Sequence, residues 1–458
     1  MSEVAPARAL AFEVIGATFE EGAFTERAFR AAAEREGLQG RERAQAQRLA
    51  YGAVQRRGTA DEAIRRLAAR PPERLDPPLL SALRLGLYEL LFAAGTPDHA
   101  AVDQAVELVK RAGAPHAAGL VNAVLRRATR EHDELARDLL ADDSTRAAAA
   151  IAHSAPPWLA EMWWEELGAE GARPLLAACN EPAEVALRAN TLRTDRGTEL
   201  AALREAGVDA EEARAGWPLA APEAIVVSGR TGSAVPERIA AGMLTPQSRG
   251  SMAVVEALGP RPGEHVLDLC AGPGTKTGQI AARMEDRGDV ISVELDPERA
   301  AEVAGQAQRL GLRSITVIEA DAAEMEMAAS FDRVLLDAPC SDLGTLASRP
   351  DARWRKSPAA VERLAELQDR LLLRAARMLR PGGVLVYATC TISRRENEDR
   401  VAALLEAADH GEAPPLAVDD LGALAPALAS PADRRCLQAR PDRDRTTGFF
   451  ICRLMRND

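Results

Sequence analysis

His265-Val266-Leu267-Asp268-Leu269-Cys270-Ala271-Gly272-Pro273-Gly274-Thr275-Lys276-Thr277 decides the fold. His265–Leu269 reads as a buried strand, the two glycines as a strand-to-helix turn, and the residues after them as a helix start. The same alternation continues downstream. Strands are expected at 290–295, 315–319, 333–337 and 384–389, with helices from Pro297 and over 361–379. A Pro381-Gly382-Gly383 turn precedes the fifth strand, and an apolar strand from Gly448 to Leu454 closes the chain. Such alternation predicts an α/β domain with a mostly parallel sheet, helices on both faces and ligand sites at the strands' C-terminal ends.

Upstream the period changes. From residue 8 to about 140, apolar residues recur at helical spacing: Leu10 and Val14 with Phe12, Ile15 and Phe19, then Leu79, Leu83, Leu87 and Leu90, then Val102, Val106 and Val109. Short breaks such as Arg70-Pro71-Pro72 and Gly95-Thr96-Pro97-Asp98 separate them, which predicts an all-α bundle. Ala155-Pro156-Pro157-Trp158 marks a boundary. Beyond it lies a mixed α/β stretch, with strands at Ala186–Asn190 and Ile225–Val227 and a helix around Trp163-Trp164. The expected segments are 1–145, 155–250 and 251–458; residues 405–440 read as surface connection.

Composition sets the class. The chain has 458 residues, 47% of them hydrophobic and 28% charged, which excludes disordered and fibrous proteins. Nothing approaches the ~18 apolar residues of a membrane helix. Met1-Ser2-Glu3-Val4 lacks the basic start and apolar run of a signal peptide, and six cysteines fit a reducing compartment, so a cytoplasmic location is expected. The net charge of −12 argues against a nucleic-acid partner, but it is unevenly spread. Residues 1–130 carry 19 basic and 16 acidic residues, a surplus of three, and the remainder carries −15. Only three basic residues are lysines: Lys110, Lys276 and Lys356. In a chain that otherwise uses arginine, Lys276 in the turn suggests a compact titratable amine.

The turn is neither G-x-G-x-x-G nor a phosphate loop, so it holds no diphosphate signature. Glu294 ends the second strand, where a carboxylate suits two ribose hydroxyls, and Asp321 ends the third, facing an adenine edge. Together these point to an adenosine cofactor without a diphosphate, and S-adenosylmethionine fits. Two cysteines end neighbouring strands on the same edge, in Asp337-Ala338-Pro339-Cys340 and Ala388-Thr389-Cys390-Thr391. A thiol beside Lys276 is expected to have a lowered pKa. No histidine joins the cysteines at metal-ligand spacing, so no metal is expected. A methyl donor has a use for thiols when the acceptor is C5 of cytosine: a thiolate added at C6 makes C5 nucleophilic. Asp337 is placed to hydrogen-bond the pyrimidine edge.

Asp268–Thr277, Asp337–Cys340 and Ala388–Thr391 resemble the motifs of the RNA (cytosine-5) methyltransferases. The chain most resembles the bacterial 16S ribosomal RNA methyltransferase B family, also called Sun or Fmu. The likeness covers nearly the whole chain. Gly86–Phe92 and Gly119–Arg127 resemble its helical domain, akin to the RNA-binding antitermination factor NusB. Pro156–Leu159, Leu187–Asn190 and Thr245–Ser248 fall in its middle segment, and Thr447–Phe450 fits its end. The resemblance implies a Rossmann-like S-adenosylmethionine-dependent catalytic domain. By the same resemblance Cys390 is the nucleophile, and Cys340 assists product release. Cys270, Ala271, Gly272, Pro273, Gly274, Thr275, Lys276, Glu294, Asp321 and Asp337 are the implied cofactor residues. The chain departs from the family with Thr275 in place of a second glycine, Ser248 in place of an Asp, and Glu294 in place of an Asp.

Arg349, Arg353, Trp354, Arg355 and Lys356 form a basic loop with an aromatic centre, a candidate RNA contact. Trp354 either stacks on a base or anchors the loop. Arg56-Arg57, Arg65-Arg66 and Arg126-Arg127 are either a solvated face or a phosphate-contacting one. The reading is a monomeric, non-membrane, metal-free enzyme forming 5-methylcytosine in 16S ribosomal RNA. Two alternatives stand beside it: the same chemistry on transfer RNA or another ribosomal cytosine, and a non-catalytic RNA-binding assembly or antitermination factor.

Overall fold

Pro6, Pro77 and Pro157 each open a helix, in the first turn where a missing N–H breaks no intrahelical bond. A computed structural model describes residues 4–457 apart from 69, 94, 214–215 and 328–329. The first three residues, which share in the signal-peptide reading, lie outside these. These three helices belong to the first of two compact units, Met1–Glu181 with Leu346–Lys356. No described helix is long and apolar enough to cross a membrane.

This first unit is all-helical. Its hub is Pro77–Leu91, buried from Leu79 through Leu90 on every face, against Pro6–Phe19, Gly40–Gln55, Asp98–Arg111 and Ala118–Arg130. The expected stripe Leu79, Leu83, Leu87 and Leu90 is one side of it; Leu80, Leu85 and Tyr88 are the other. Two glycines permit the close packing. A Cβ at Gly52 would lie 2.1 Å from the Tyr88 ring, and one at Gly86 would lie 2.6 Å from Leu125. The helix Pro157–Ala178 also belongs here, so the Pro156-Pro157 break starts a helix inside this unit.

The 346–356 segment corrects the reading of the basic loop. Arg353 is 1% exposed, and its guanidinium donates to the carbonyls of Ser154, Cys179, His153 and Leu346 and to Asn180 Oδ1. It is a structural cation, enclosed by carbonyls and unavailable to phosphate. Trp354 is an anchor: its indole N–H donates to Val54 O at 2.8 Å. Arg355 lies on the Phe24 ring and donates to Gly22 O and Ala23 O. Among the paired arginines, Arg56 stacks on Phe92, and Arg57 lies over both Phe19 and Trp354. These two serve packing, a use outside both readings above. Arg65 and Arg66 pair with Glu62 on the exposed face. Arg353→Ala would strip five acceptors of their donor, and we expect ~3–5 kcal/mol of lost stability in urea unfolding; a loss under ~1 kcal/mol would contradict this account.

The second unit, Pro182–Thr345 with Ser357–Asp458, contains two sheets. The smaller comprises β1 (Val185–Ala189), β2 (Asp209–Glu212), β3 (Ala224–Ser228) and β4 (Leu244–Pro246), in the antiparallel order β2-β3-β1-β4. The larger comprises β5 (His265–Asp268), β6 (Asp289–Glu294), β7 (Ile315–Glu319), β8 (Phe331–Asp337), β9 (Leu379–Thr389), β10 (Leu416–Asp419), β11 (Leu437–Ala439) and β12 (Phe449–Arg456). Its order is β10-β12-β9-β8-β5-β6-β7, with β11 also on β12. β5 to β9 run parallel, whereas β12 lies antiparallel between β9 and β10. Two apolar clusters, one around Leu267, Leu336 and Tyr387 and one around Val266, Leu335 and Val386, fill the two faces. Residues 405–440 are therefore more than surface connection, since β10 and β11 both pair with the closing strand.

Contacts within this unit explain the middle-segment motifs. Arg188 on β1 is buried and donates to Gln247 Oε1 and to Thr275 O, the first residue of the helix after the glycine turn. Gln247 continues to Gln279 on that helix at 2.7 Å. Ser248 caps the helix Arg249–Leu258, a role any short oxygen side chain fills, which accounts for the missing Asp.

Candidate active site

The parallel strands end side by side, and each delivers a polar group. In sheet order these are Cys390 after β9, Asp337 and Cys340 at the end of β8, the glycine turn after β5, Glu294 at the end of β6, and Asp321 after β7.

The glycine turn is shaped by its backbone. Gly272 (φ +56°) and Gly274 (φ +82°) both occupy the left-handed region, and a Cβ at Gly274 would lie 3.0 Å from the Val303 backbone. Gly272 N–H donates to Glu294 Oε2 at 2.7 Å, and Glu294 Oε1 accepts from the Asp296 N–H. Ala271 N–H is bonded to Val293 O, and Pro273 O accepts from Gln306. Cys270 is half-buried, and burial, followed by Asp268 and Asp337, pushes its thiol well above its ordinary pKa. Asp321 is exposed and accepts from the Ala323 N–H.

Asp268 sits beneath this turn. Its Oδ2 accepts the Thr277 hydroxyl at 2.6 Å, whereas Oδ1 is buried without a partner. Burial raises its pKa from 3.8 to about 6, with Thr277 acting in the opposite direction. The folded state therefore holds this proton more tightly than the unfolded chain, and stability falls as pH rises from about 4 through about 6. Relative to Asp268→Asn, the wild type is expected to lose on the order of 2–3 kcal/mol across that window. Denaturation curves at pH 4 and pH 7 check this, and parallel pH slopes would contradict it.

Lys276 does not meet a thiol. Its ammonium pairs with Asp337 and lies 5.0 Å from the Phe449 ring centre. The expected lowering of a thiol pKa by Lys276 is thus corrected: the charges around the sulfurs are carboxylates. Cys390 Sγ lies 3.3 Å from Cys340 Sγ and 3.0 Å from Asp342 Oδ1. Cys340, burial and the charges of Asp342 and Asp337 push the Cys390 thiol well above its ordinary value. For Cys340, contact with Cys390 acts downward, but burial, Asp342 and Glu396 outweigh it and the shift is upward. A carboxylate only accepts, so Cys390 is the donor to Asp342, whereas in the thiol–thiol contact either sulfur can donate. The ligand atoms of Cys340, Asp342 and Cys390 also lie within 4.8 Å of one another.

Glu396 locks the two thiol-bearing turns together. Fully buried, it accepts from the Ser341 N–H and hydroxyl and from Gln368, while Ser341 also bonds Thr391. Gln368 donates as well to Pro339 O, and the Tyr387 hydroxyl to Glu396 O. Neither Glu396 nor Asp342 was expected from the sequence. The available signal was an acidic residue two positions after one thiol and another six after the other.

A family profile described as 16S rRNA methyltransferase RsmB/F matches residues 255–455, one for the NusB family matches 5–130, and one for an RsmF/B-like ferredoxin-like domain matches 155–231. A probable ribosomal RNA small subunit methyltransferase B of Synechocystis sp. is 34% identical over 408 residues, covering 88% of this chain and 89% of its own. The chain belongs to this methyltransferase family. Ribosomal RNA small subunit methyltransferase B of Escherichia coli is 32% identical over 370 residues, covering 80% and 82%. In fold, the crystal structure of PH0851 matches 99% of each chain with a TM-score of 0.79 at 24% identity. The NusB-like helical domain and methyltransferase sheet expected from the motifs are therefore those of the RsmB/F methyltransferases, and the mixed α/β middle segment overlaps their ferredoxin-like domain.

Proposed function

We propose that this RsmB/F methyltransferase uses S-adenosylmethionine to form 5-methylcytosine in 16S ribosomal RNA, through a covalent bond between Cys390 and C6 of the target base. The observation that carries the reading is the pair of thiols in contact at the ends of β8 and β9, beside the turn after β5. N-methylation of an amine has no use for such a pair.

The residues of the turn fit the cofactor. Asp268 Oδ1 is a buried acceptor lacking a donor, Gly272 and Gly274 keep the turn free of side chains, and Glu294 and Asp321 end adjacent strands. When bound, S-adenosylmethionine supplies an electrophilic methyl on a cationic sulfonium. The acidic lining, Asp268, Glu294, Asp321, Asp337 and Asp342, suits a cation. In this reading Cys270 through Thr275 shape the cofactor cradle, Glu294 holds the ribose and Asp321 the adenine edge. Lys276 and Asp337 act as a pair, with Asp337 also directed to the pyrimidine edge. Cys340, in contact with Cys390, helps release the methylated base.

The segments 1–145, 155–250 and 251–458 are read as an RNA-binding domain, a connecting domain and the catalytic domain of a cytoplasmic, monomeric, metal-free enzyme. Methyl-labelled cofactor with 16S ribosomal RNA and, separately, transfer RNA tests the proposal. Labelled 5-methylcytidine from the ribosomal RNA alone is expected. Label in transfer RNA alone would change the substrate, and no transfer at all would return the chain to the non-catalytic reading.

A further inference from the structure

Asp342 occupies an unfavourable backbone conformation beside the proposed nucleophile. Its φ of +60° lies in the left-handed region that side chains other than glycine seldom adopt. The turn holds it there: Asp342 O accepts both the N–H and the hydroxyl of Thr345, at 2.9 and 2.8 Å. This conformation directs the half-buried carboxylate to the Cys390 thiol, 3.0 Å from Oδ1 to Sγ. Strained residues at a site are worth a functional hypothesis when a specific contact accompanies them.

The surroundings create a need for such a group. Cys390 lies among carboxylates, and Lys276, the cation expected to favour its thiolate, is committed to Asp337. The resting sulfur is therefore a protonated thiol, a weak nucleophile, and its proton must go somewhere as the C6 bond forms. Among the described hydrogen bonds of Cys390, the carboxylate of Asp342 is the acceptor within reach of the S–H, at 3.0 Å.

Resting on the nucleophile reading above, we infer that Asp342 is the catalytic base for Cys390: it takes the thiol proton during attack and returns it when the adduct collapses. In the first step the S–H bond breaks and its proton passes to Asp342 Oδ1. The sulfur pair forms the bond to C6, and the C5–C6 π pair moves to C5. C5 then takes the sulfonium methyl, whose bonding pair stays on the cofactor sulfur as a thioether. Loss of the C5 proton to solvent rebuilds the C5–C6 double bond, and the C6–S pair returns to Cys390, which recovers its proton from Asp342. Overall, one proton and one thioether accompany each methylated base.

The test uses the full-length enzyme with Asp342→Asn, which keeps the side chain's shape and its tolerance of this backbone, and Asp342→Gly, which relaxes the turn. Two rates are read: methyl transfer to RNA, and alkylation of Cys390 by iodoacetamide at pH 8 without RNA. Both variants are expected to lower kcat by ~10²-fold, the usual scale for a lost general base, with KM nearly unchanged. Alkylation of Cys390 is expected to become faster, because the nearby negative charge is gone. A merely structural residue would not move the two rates in opposite directions. Retention of kcat within twofold in Asp342→Asn, or a parallel fall in both rates, would overturn the assignment. Cys390→Ala in the same assay separates the two levels: methyl transfer by that variant would overturn the nucleophile reading itself, and Asp342 with it.

Discussion

Cys390→Ala is expected to reduce methyl transfer at least ~10³-fold, whereas Cys340→Ala retains the attack and accumulates an RNA–protein adduct that survives denaturation. The asymmetry follows from the contacts at the strand ends, where, among the described hydrogen bonds, Cys390 is the thiol that donates to a carboxylate. Cys390 donates to Asp342, so its sulfur sheds a proton outward and can form a bond. Cys340 touches Cys390 at 3.3 Å and can hydrogen-bond the sulfur that must later leave. Removing Cys340 therefore spares bond formation and slows bond breakage. Gel electrophoresis in denaturant with labelled RNA reads the adduct directly. An adduct in Cys390→Ala, with a simply inactive Cys340→Ala, would exchange the two roles.

The second large effect is expected at Lys276 and Asp337. The pair is mostly buried, with side chains 11% and 24% exposed, and lies between the glycine turn and the thiols. Removing one partner leaves the other's charge unmatched in a poorly solvated place, where breaking a pair costs ~3–5 kcal/mol. Lys276→Ala would add an unpaired carboxylate to a site that already holds Asp268 and Asp342. Asp337→Ala would leave the ammonium without its paired carboxylate, over the Phe449 ring. Each single change is expected to lower kcat/KM by on the order of 10²–10³-fold, and the double change by scarcely more, since the second removal relieves the first. Lys276→Arg should not rescue, because a planar fork cannot replace a compact ammonium at that length. A double-mutant cycle on kcat/KM checks this; additive losses would show that the two side chains act independently.

Much of this arrangement is legible in the sequence, where the signal is local. Period-2 and period-3.6 runs with their turn residues locate β5 to β9 and the helices between them, because each is a contiguous pattern. The scarcity of lysine singles out Lys276, which pairs with Asp337 at the strand ends. It was uninformative for Lys110, which makes an ordinary pair with Glu107 one turn away on a helix. What depends on distant partners was not legible. Arg353 in a basic string resembles a phosphate contact, and only the carbonyls of residues 153, 154 and 179 reveal it as an internal tie. β2 and β10 are only four residues long, too short to show a period, and exist because β3 and β12 offer them an edge. The electrostatics of the thiols failed for the same reason: Lys276 is near in motif order, but Asp337 takes its charge, and Asp342 faces the sulfur instead.

The central claim, covalent attack by Cys390 on C6 of a cytosine, is tested most directly with the unmodified enzyme and 16S ribosomal RNA transcribed with 5-fluorocytidine. Fluorine at C5 cannot leave as a cation, so an adduct that has accepted the methyl group cannot eliminate the thiol and remains attached. Digestion and mass spectrometry are expected to find the methylated fluoropyrimidine on the peptide containing Cys390. Attachment to the Cys340 peptide, or complete turnover with no attachment, would contradict the account.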